Sequence, residues 1–197
     1  MKKEILDHPL MIFAEWFEHA KKVEQGDATA AALATASKSA KPSVRIVLLK
    51  AFDERGFVFY TNLNSRKAKE LMENPQAALC FFWQTADMQV RIEGNVERVS
   101  DQEANEYFAT RPRGSQIGAW ASKQSEPMQD PANMWERVKQ YEERFHDQEV
   151  PRPEYWSGFR VVPVKMEFWR RGDHRLHERL CFYRGEENQW VKKYLYP

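Results

Sequence analysis

The sequence has few cysteines and few glycines, with two of the first and eight of the second in 197 residues. Cys80 and Cys181 each lie among large apolar residues and do not form a CxxC pair, so they predict two buried thiols rather than a zinc site. Buried free thiols are typical of a reducing compartment, and we expect a cytoplasmic protein. The N-terminal residues 1–20 carry charges throughout, which argues against a signal peptide or a membrane span there.

Neither sign of charge predominates, since 30 lysines and arginines face 29 aspartates and glutamates, for a net charge of +1. We therefore expect no nucleic-acid or membrane partner, and any anion binding must be local. The sequence also lacks GxGxxG, GxxxxGK[ST] and GxSxG motifs, which argues against a Rossmann site, a P-loop and a nucleophile elbow. His174, His177 and Glu178 do not form an HExxH motif, and we expect no metal site.

With 197 residues the chain is long enough for one domain, and 42% hydrophobic residues suffice for a sizeable core. We find no internal repeat and no linker between domains. We therefore expect a single domain over 1–197, with an N-terminal helical segment at 1–26 and C-terminal strands at 151–197.

Apolar periodicity predicts both helices and strands along the chain. The helices are expected at 8–24, 65–73, about 101–110 and 131–147. The strands are expected at 43–50, 57–61, 77–83, 88–99, 158–169, 179–184 and 189–197. Residues 27–37 are ambiguous between helix and strand, and 110–131 is expected to be a long loop. Consecutive strands with helices at the periphery favour an α+β, mainly β fold, an antiparallel barrel or sandwich.

One segment, RRGDHRLHERL at 170–180, contains four arginines and two histidines. A solvated basic edge would explain it, and so would a site for an anionic ligand. If the segment is a strand, Arg175, His177 and Arg179 lie on one face, because side chains alternate with a period of two. Arg170, Arg171 and His174 would then belong to a solvated turn.

Other cations lie at positions that are unfavourable for a positive charge unless an anion binds there. Arg66 and Lys67 fall in the first turn of a predicted helix, with Asn64 or Ser65 as its N-cap, where the helix dipole disfavours positive charge. Free backbone N–H groups and two cations at a helix start suit a phosphate. Further cations or hydroxyls occur at Arg45, Lys50, Arg111, Arg113 and Ser115. Each set taken alone is explained by side chains reaching into water, but together they suggest two phosphate-bearing ligands.

Five segments in this order resemble one known family. They are RIVLLK (45–50), FYTNLNSRKAKEL (59–71), QVRIEG (89–94), YFATRPRGSQIGAWASKQS (107–125) and EFWRRGDHRLHERL (167–180). Together with the signature W-x-G-F-R, EFW and RLH-x-R, they resemble the pyridoxamine/pyridoxine 5′-phosphate oxidases. The resemblance extends from about residue 27 to the C-terminus and implies an FMN-binding split β-barrel.

The resemblance implies oxidation of pyridoxamine or pyridoxine 5′-phosphate to pyridoxal 5′-phosphate. A hydride equivalent would pass from the substrate C4′ carbon to the flavin, and O₂ would reoxidise the flavin to give hydrogen peroxide. The amine substrate would also release ammonia. Members are homodimers with two FMN sites at the subunit interface, and the C-terminal strands at 151–197 would complete the barrel and the active site.

The resemblance also assigns residues to roles. Catalysis would fall to Arg175 and His177. FMN would be bound by Arg45, Ile46, Val47, Leu48, Leu49, Lys50, Tyr60, Thr61, Arg66, Lys67, Gln89, Gln124, Ser125, Trp169 and Arg179. The substrate would be bound by Lys50, Tyr107, Arg111, Ser115, Arg175 and His177.

Two other functions stay open at this point. One is a related flavin oxidase on another ring, of the phenazine type, although the set of phosphate-binding residues favours a phosphorylated substrate. The other is a non-catalytic carrier of pyridoxal phosphate or FMN. We expect the family's N-terminal Arg-x-x-Tyr segment to be missing, and Met88 and Ser157 depart from the family's usual arginine and glycine.

Overall fold

The computed structural model describes residues 8–197. Within them the helices are α1 (Pro9–Val23), α2 (Arg66–Glu73), α3 (Asp101–Ala109), α4 (Arg113–Ala121) and α5 (Ala132–Arg144). The strands are β1 (Ala30–Ala36), β2 (Pro42–Leu48), β3 (Ala51–Asp53), β4 (Gly56–Asn62), β5 (Gln76–Trp83), β6 (Met88–Arg98), β7 (Trp156–Arg170), β8 (Glu178–Arg184) and β9 (Trp190–Tyr194). The first seven residues of the predicted N-terminal helical segment lie outside the described residues.

All nine strands belong to one antiparallel sheet, whose main path runs β2-β1-β5-β6-β7-β4-β3. Only Leu49 and Lys50 separate β2 from β3, yet these two strands lie at opposite ends of that path. The sheet must therefore curl until its ends meet. The backbone N–H of Lys50 donates to the carbonyl of Val58 on β4 at 2.9 Å, which joins the two ends. Lys50 is thus fixed at the seam of the barrel.

Helix α1 packs its apolar side against the core of the barrel. Phe13 is fully buried, and its ring meets those of Phe52, Phe57 and Phe81 edge-on, with centroids 4.9 to 5.3 Å apart. Aromatic rings in this arrangement gain stability beyond the burial of their area. The predicted helix at 8–24 is confirmed, and its role is to cover the aromatic core.

The ambiguous stretch 27–37 contains strand β1, which pairs with both β2 and β5. Ala31 and Leu33 alternate with less buried neighbours and face the core, so tertiary pairing settles what local propensity left open. Both cysteines are free thiols. Cys181 is buried as predicted, but Cys80 is only partly buried, because the outer face of β5 is not covered. None of the helices in residues 8–197 is both long and apolar enough to span a membrane.

The expectation of a long loop over 110–131 is wrong, because Arg113–Ala121 forms helix α4. Pro112 occupies its N-cap position, and Ile117 and Ala121 bury one side of it. Two glycines lowered the helical signal, although no described neighbour of Gly114 or Gly118 would contact a Cβ there. Burial against a second apolar cluster outweighs the weak propensity. That cluster comprises Phe108, Ile117, Phe145, Val150 and Trp156.

Candidate functional site

A cleft of about 560 Å³ opens between the seam of the barrel and helices α3 and α4. Eight of the predicted ligand-binding residues lie in its walls. Its lining includes Leu48, Lys50, Tyr60, Thr61, Tyr107, Arg111, Ser115, Gln124 and Trp156. Residues predicted for the cofactor and for the substrate therefore meet in one space.

Lys67 lies at the start of α2, beside this cleft, and is buried. Ser65 caps the helix as predicted, its side chain accepting from the backbone N–H of Ala68. The Lys67 ammonium donates to Gln124 Oε1 at 2.9 Å, to Thr61 Oγ1 at 3.1 Å and to Ser65 Oγ at 3.3 Å. All three acceptors are neutral.

Among residues 8–197, no carboxylate lies within ion-pair distance of the Lys67 ammonium. Burial, together with the charge of Arg45, lowers the pKa of Lys67 to about 8. A buried cation with neutral partners is costly unless an anion joins it. The arrangement is therefore suited to a phosphate on Lys67.

Arg111, on the far wall of the cleft, is a second cation without a counter-ion among residues 8–197. Its Nη1 is buried and has no hydrogen-bond partner in the described part of the chain. Its guanidinium instead lies 4.7 Å from the ring centroid of Trp156 and 5.4 Å from that of Phe108. Burial lowers the pKa of Arg111 from its usual range. An unpaired guanidinium in a cleft is a natural partner for a phosphate or carboxylate.

Arg45 and Arg66 converge on the buried carboxylate of Glu70. Arg66 Nε donates to Glu70 Oε1 at 2.8 Å, and Arg45 Nη2 lies 3.4 Å from Glu70 Oε2. Thr35 and Ser43 donate their hydroxyl protons to the same Oε2, each at 2.5 Å. Burial alone would raise the pKa of Glu70, but the bonds from Ser43, Thr35 and Arg66 outweigh it and lower the pKa to about 2. Glu70 therefore stays ionised and fixes both arginines.

A second group of predicted residues lies near the C-terminal end of β7. Gln89 on β6, Trp169 on β7 and Arg179 on β8 are successive cross-strand partners, so they share one face of the sheet. Glu167, which is 2% exposed, accepts from Arg179 Nε at 2.9 Å. The carboxylate fixes the Arg179 guanidinium, and the Trp169 ring lies 4.6 Å from that of His177, measured between centroids.

The segment before β8 is a turn rather than a strand. Asp173–Arg175 forms a 3₁₀ turn, and both His174 and Arg175 are left-handed, with φ of 53° and 66°. The expectation that Arg175, His177 and Arg179 share a strand face by alternation is therefore wrong, because β8 begins only at Glu178. Residues without a glycine's freedom rarely adopt this conformation, so the turn holds strain at Arg175. Arg170, Arg171 and His174 are exposed, as predicted for a solvated edge.

Gly172 makes this turn possible. A Cβ at this position would overlap the carbonyl of Leu176, so no other residue fits without movement. Its backbone N–H donates to His177 Nδ1 at 3.3 Å. Because Nδ1 is the acceptor, the neutral ring of His177 carries its proton on Nε2.

The two groups lie far apart along one strand. Tyr60 and Thr61 pair with Gly158 and Ser157 at the start of β7, while Trp169 is eleven residues beyond Gly158. At about 3.3 Å per residue, this corresponds to roughly 36 Å of strand. His177 and Arg179 line a separate hollow beside Trp16 and Phe168, and none of the described residues lines both this hollow and the cleft.

The remaining predicted residues lie around the cleft rather than in it. Ile46 points outward from β2 and is exposed, Val47 packs against the core, and Leu49 is buried within the core. Ser125 is left-handed, with φ of 73°, and faces a smaller hollow that it shares with Arg66. The sequence did not indicate roles for Glu70, Trp156, Glu167 or Gly172, although the last three lie within the W-x-G-F-R motif or the EFWRRGDHRLHERL segment.

The family profile described as pyridoxamine 5′-phosphate oxidase matches residues 18–168. This chain belongs to the pyridoxamine 5′-phosphate oxidase family. The profile described as the pyridoxine 5′-phosphate oxidase C-terminal dimerisation region matches residues 156–197. The chain therefore carries the region through which the family forms dimers, and the resemblance drawn from the sequence is confirmed.

Relatives named pyridoxine/pyridoxamine 5′-phosphate oxidase match nearly the whole chain. The Chelativorans sp. (strain BNC1) protein is 50% identical over 189 residues, which cover 96% of this chain and 90% of the relative. The Mesorhizobium japonicum protein is 51% identical over 189 residues, covering 96% and 92%. As a member of the pyridoxamine 5′-phosphate oxidase family, the chain is an oxidoreductase with FMN as its cofactor.

Solved structures confirm the fold. PhzG from Burkholderia lata 383, in complex with tetrahydrophenazine-1-carboxylic acid, has a TM-score of 0.91 and 28% identity, covering 97% of this chain and 93% of that one. A pyridoxamine 5′-phosphate oxidase-related, FMN-binding protein from Nostoc punctiforme has a TM-score of 0.75 at 16% identity, covering 94% and 95%. The prediction of a mainly β split barrel with peripheral helices is thus confirmed.

The residues present fit FMN. Its phosphate needs a cation that is not already neutralised, and Lys67, whose acceptors among residues 8–197 are all neutral, meets that need beside the cleft. Trp169 and Arg179 offer a flat ring and a fixed guanidinium for a planar heterocycle. The phosphate contact at Lys67 lies near the N-terminal end of β7, and the ring contacts at Trp169 and Arg179 lie near its C-terminal end.

Proposed function

We propose that the enzyme oxidises pyridoxamine 5′-phosphate and pyridoxine 5′-phosphate to pyridoxal 5′-phosphate, with O₂ as the electron acceptor. The single observation that carries this proposal is the unpartnered Nη1 of Arg111, buried in the same cleft as Lys50. A phosphate monoester would satisfy that guanidinium, with Ser115 and Tyr107 adding hydroxyl contacts from α4 and α3. The phosphate would thereby anchor the substrate at one end.

The FMN phosphate would lie on Lys67, Arg66 and Ser125, with Arg45 behind them, and Gln124 and Thr61 beside it. When bound, FMN would supply the electron chemistry, the transfer of two electrons from the substrate to O₂ with hydrogen peroxide as the product. For the alcohol, one O₂ yields one aldehyde and one H₂O₂. For the amine, water is also consumed and ammonia is released.

Arg175 and His177 would orient the reacting end of the substrate. The proton on His177 Nε2, implied by the bond that Nδ1 accepts from Gly172, makes His177 a hydrogen-bond donor to the substrate. Arg175, held in a strained turn, would lie against the pyridine ring, where a guanidinium stacks well on a flat heterocycle. Both residues would thus position C4′, because a rigid turn limits the poses available.

We further propose that each active site forms between the two subunits of a homodimer. In one chain, the cleft and the group formed by Trp169, Arg175, His177 and Arg179 lie at opposite ends of β7. A twofold axis would bring the cleft of one subunit to the second group of its partner. The match of residues 156–197 to the dimerisation region supports this arrangement.

A second candidate substrate is a phosphate-free ring of the phenazine type, which the likeness to PhzG at a TM-score of 0.91 favours. The ligand in the PhzG structure is a carboxylic acid, which would bring one negative charge to Arg111. A phosphate monoester would bring about two, with three acceptor oxygens, to the same buried guanidinium. We therefore place the B6 phosphates first.

The decisive experiment records the visible spectrum of the purified protein and then measures the hydrogen peroxide that it releases with pyridoxine 5′-phosphate. We expect a yellow protein that forms peroxide with the phosphate ester and not with unphosphorylated pyridoxine at the same concentration. A colourless protein that cannot be reconstituted with FMN would contradict the assignment. A yellow protein that binds pyridoxal phosphate without forming peroxide would instead indicate a carrier.

Subunit complementation tests the shared site. At substrate concentrations below the wild-type KM, Arg111→Ala and Arg175→Ala homodimers should each be nearly inactive, because each lacks one half of every site. Mixing and reassorting the two variants should restore about a quarter of wild-type activity, since half the dimers are mixed and each has one intact site. No recovery after exchange, verified with differently tagged chains, would place both residues in the same subunit's site.

A further inference from the structure

Trp156, the first residue of β7, contacts three residues assigned above to the ligands. Its ring is nearly parallel to that of Tyr60, at 2° and 5.2 Å, and to that of Tyr107, at 6° and 6.2 Å. The Arg111 guanidinium lies 4.7 Å from its centroid. Trp156 is 6% exposed, and it also lines the cleft.

This contact holds Arg111 without neutralising it. A carboxylate partner would fix the guanidinium equally well, but it would also compete with an incoming anion. Arg45 and Arg179 are held in that way, by Glu70 and Glu167. An indole face attracts the cation through its quadrupole and leaves the full charge available to a ligand.

The position of the Trp156 ring is itself fixed by packing. Tyr60 and Tyr107 stack 4.1 Å apart at 8°, so the three rings form one offset stack. Phe108 meets the Trp156 ring edge-on at 5.0 Å. Gly158 leaves room for Tyr60, since a Cβ there would lie 2.8 Å from the tyrosine ring. The stack therefore cannot shift without moving β4, β7 and α3 together.

We propose that Trp156 is a positioning residue that holds the Arg111 guanidinium unpaired and aimed at the phosphate monoester of the substrate. This inference rests on the proposed function, because it needs Arg111 to bind that phosphate. It assigns to Trp156 an effect on substrate affinity that is separate from its part in the apolar cluster. The effect should appear in KM and not in kcat, since Trp156 does not reach the reacting end.

The test uses the FMN-loaded enzyme with two substitutions, Trp156→Leu, which removes the aromatic face, and Trp156→Phe, which keeps a weaker one. Binding of 4-deoxypyridoxine 5′-phosphate, which cannot be oxidised, is measured by calorimetry, and KM and kcat are measured with pyridoxine 5′-phosphate. We expect Trp156→Leu to raise Kd and KM about tenfold, with kcat within about twofold. Trp156→Phe should fall between Trp156→Leu and the wild type.

Trp120→Leu is the matched control. Trp120 packs in the same apolar cluster, against Tyr141 and Phe145, but does not contact Arg111. Both tryptophan-to-leucine variants should lower Tm, while only the change at Trp156 should weaken binding of the phosphorylated analogue. An equal loss of affinity in both variants would show a general packing effect and overturn the inference.

Arg111→Ala separates this inference from the proposed function. If Arg111→Ala leaves Kd for the phosphorylated analogue unchanged, the phosphate subsite itself is wrongly placed. If Arg111→Ala weakens binding but Trp156→Leu does not, only the role of Trp156 is refuted. In the double variant, Trp156→Leu should add no further loss, because it acts through Arg111. An additive loss would also contradict the inference.

Discussion

The ammonium of Lys67 lies 2.9 Å from Oε1 of Gln124, so helix α2 is joined to a segment 57 residues further along the chain. Thr61 Oγ1 on β4 also donates to Gln124 Oε1, at 2.9 Å. The amide oxygen of Gln124 thus accepts hydrogen bonds from a lysine on α2 and a threonine on β4. The geometry leaves a desolvated positive charge beside the cleft, and its partners in the described part of the chain are all neutral.

Replacing Lys67 by methionine should weaken FMN binding by about tenfold to a hundredfold. A hydrogen bond to a charged group contributes roughly 1.5–3 kcal/mol, and the variant loses one to the phosphate. Fluorescence quenching of FMN on titration with apoprotein gives the Kd. Lys22→Met, on the exposed side of α1, is the matched control and should bind FMN normally. Unchanged affinity in Lys67→Met would show that the phosphate lies elsewhere.

FMN affinity should also fall as pH rises above about 8. Burial lowers the pKa of Lys67 to about 8 in the free protein, below its usual value of 10.5, so the lysine loses its proton above that pH. The FMN phosphate binds the protonated lysine, so above about pH 8 binding must take up a proton. The affinity should then fall by up to about tenfold per pH unit. The same shift should make the FMN-free protein more stable as pH rises from 8 towards 10.5.

Titrations at pH 7 to 9.5 check this prediction. The wild-type Kd should be flat up to about pH 8 and then rise. Lys67→Met should show a weaker but nearly level Kd over the same range, since it has no titrating group at this position. A parallel rise in both proteins would assign the pH dependence to another group.

Glu70→Gln should destabilise the protein by about 2 kcal/mol at pH 7, because it removes a buried carboxylate that accepts four bonds. The folded-state pKa of Glu70 is lowered to about 2, from 4.5. Its stabilisation is therefore complete above pH 4.5 and is lost as pH falls towards 2. The Tm difference between wild type and variant should shrink over that window. Glu73→Gln, on the exposed side of α2, should leave the profile unchanged.

Gly172→Ala should lower kcat by about a hundredfold while FMN stays bound. The added Cβ would overlap the Leu176 carbonyl and displace the turn that carries Arg175 and His177. A displacement of about 1 Å at a positioning residue has effects of this size. Gly26→Ala, where a Cβ meets no atom of residues 8–197 within 4 Å, is the control for the substitution itself. A Gly172→Ala enzyme with full kcat would mean that the turn does not set the geometry of the site.

Sequence patterns predicted most of the elements because their signals are local. Ser65 as N-cap and Lys67 in the first turn of α2 follow from neighbouring residues, and the strands follow from alternation and β-branched residues. Helix α4 was missed because its glycines weaken the local signal, and burial of Ile117 and Ala121 overrides it.

The same distinction between local signals and distant contacts applies to the candidate site. The sequence alone determined its cations, its motifs and its family, since these lie in short segments that can be read without the fold. Only the tertiary structure decided which cations are paired and which are free: Glu70 and Glu167 engage Arg45 and Arg179, while Lys67 and Arg111 keep neutral partners. The physical reason is that ion pairing and burial depend on neighbours from distant parts of the chain, which no local pattern encodes.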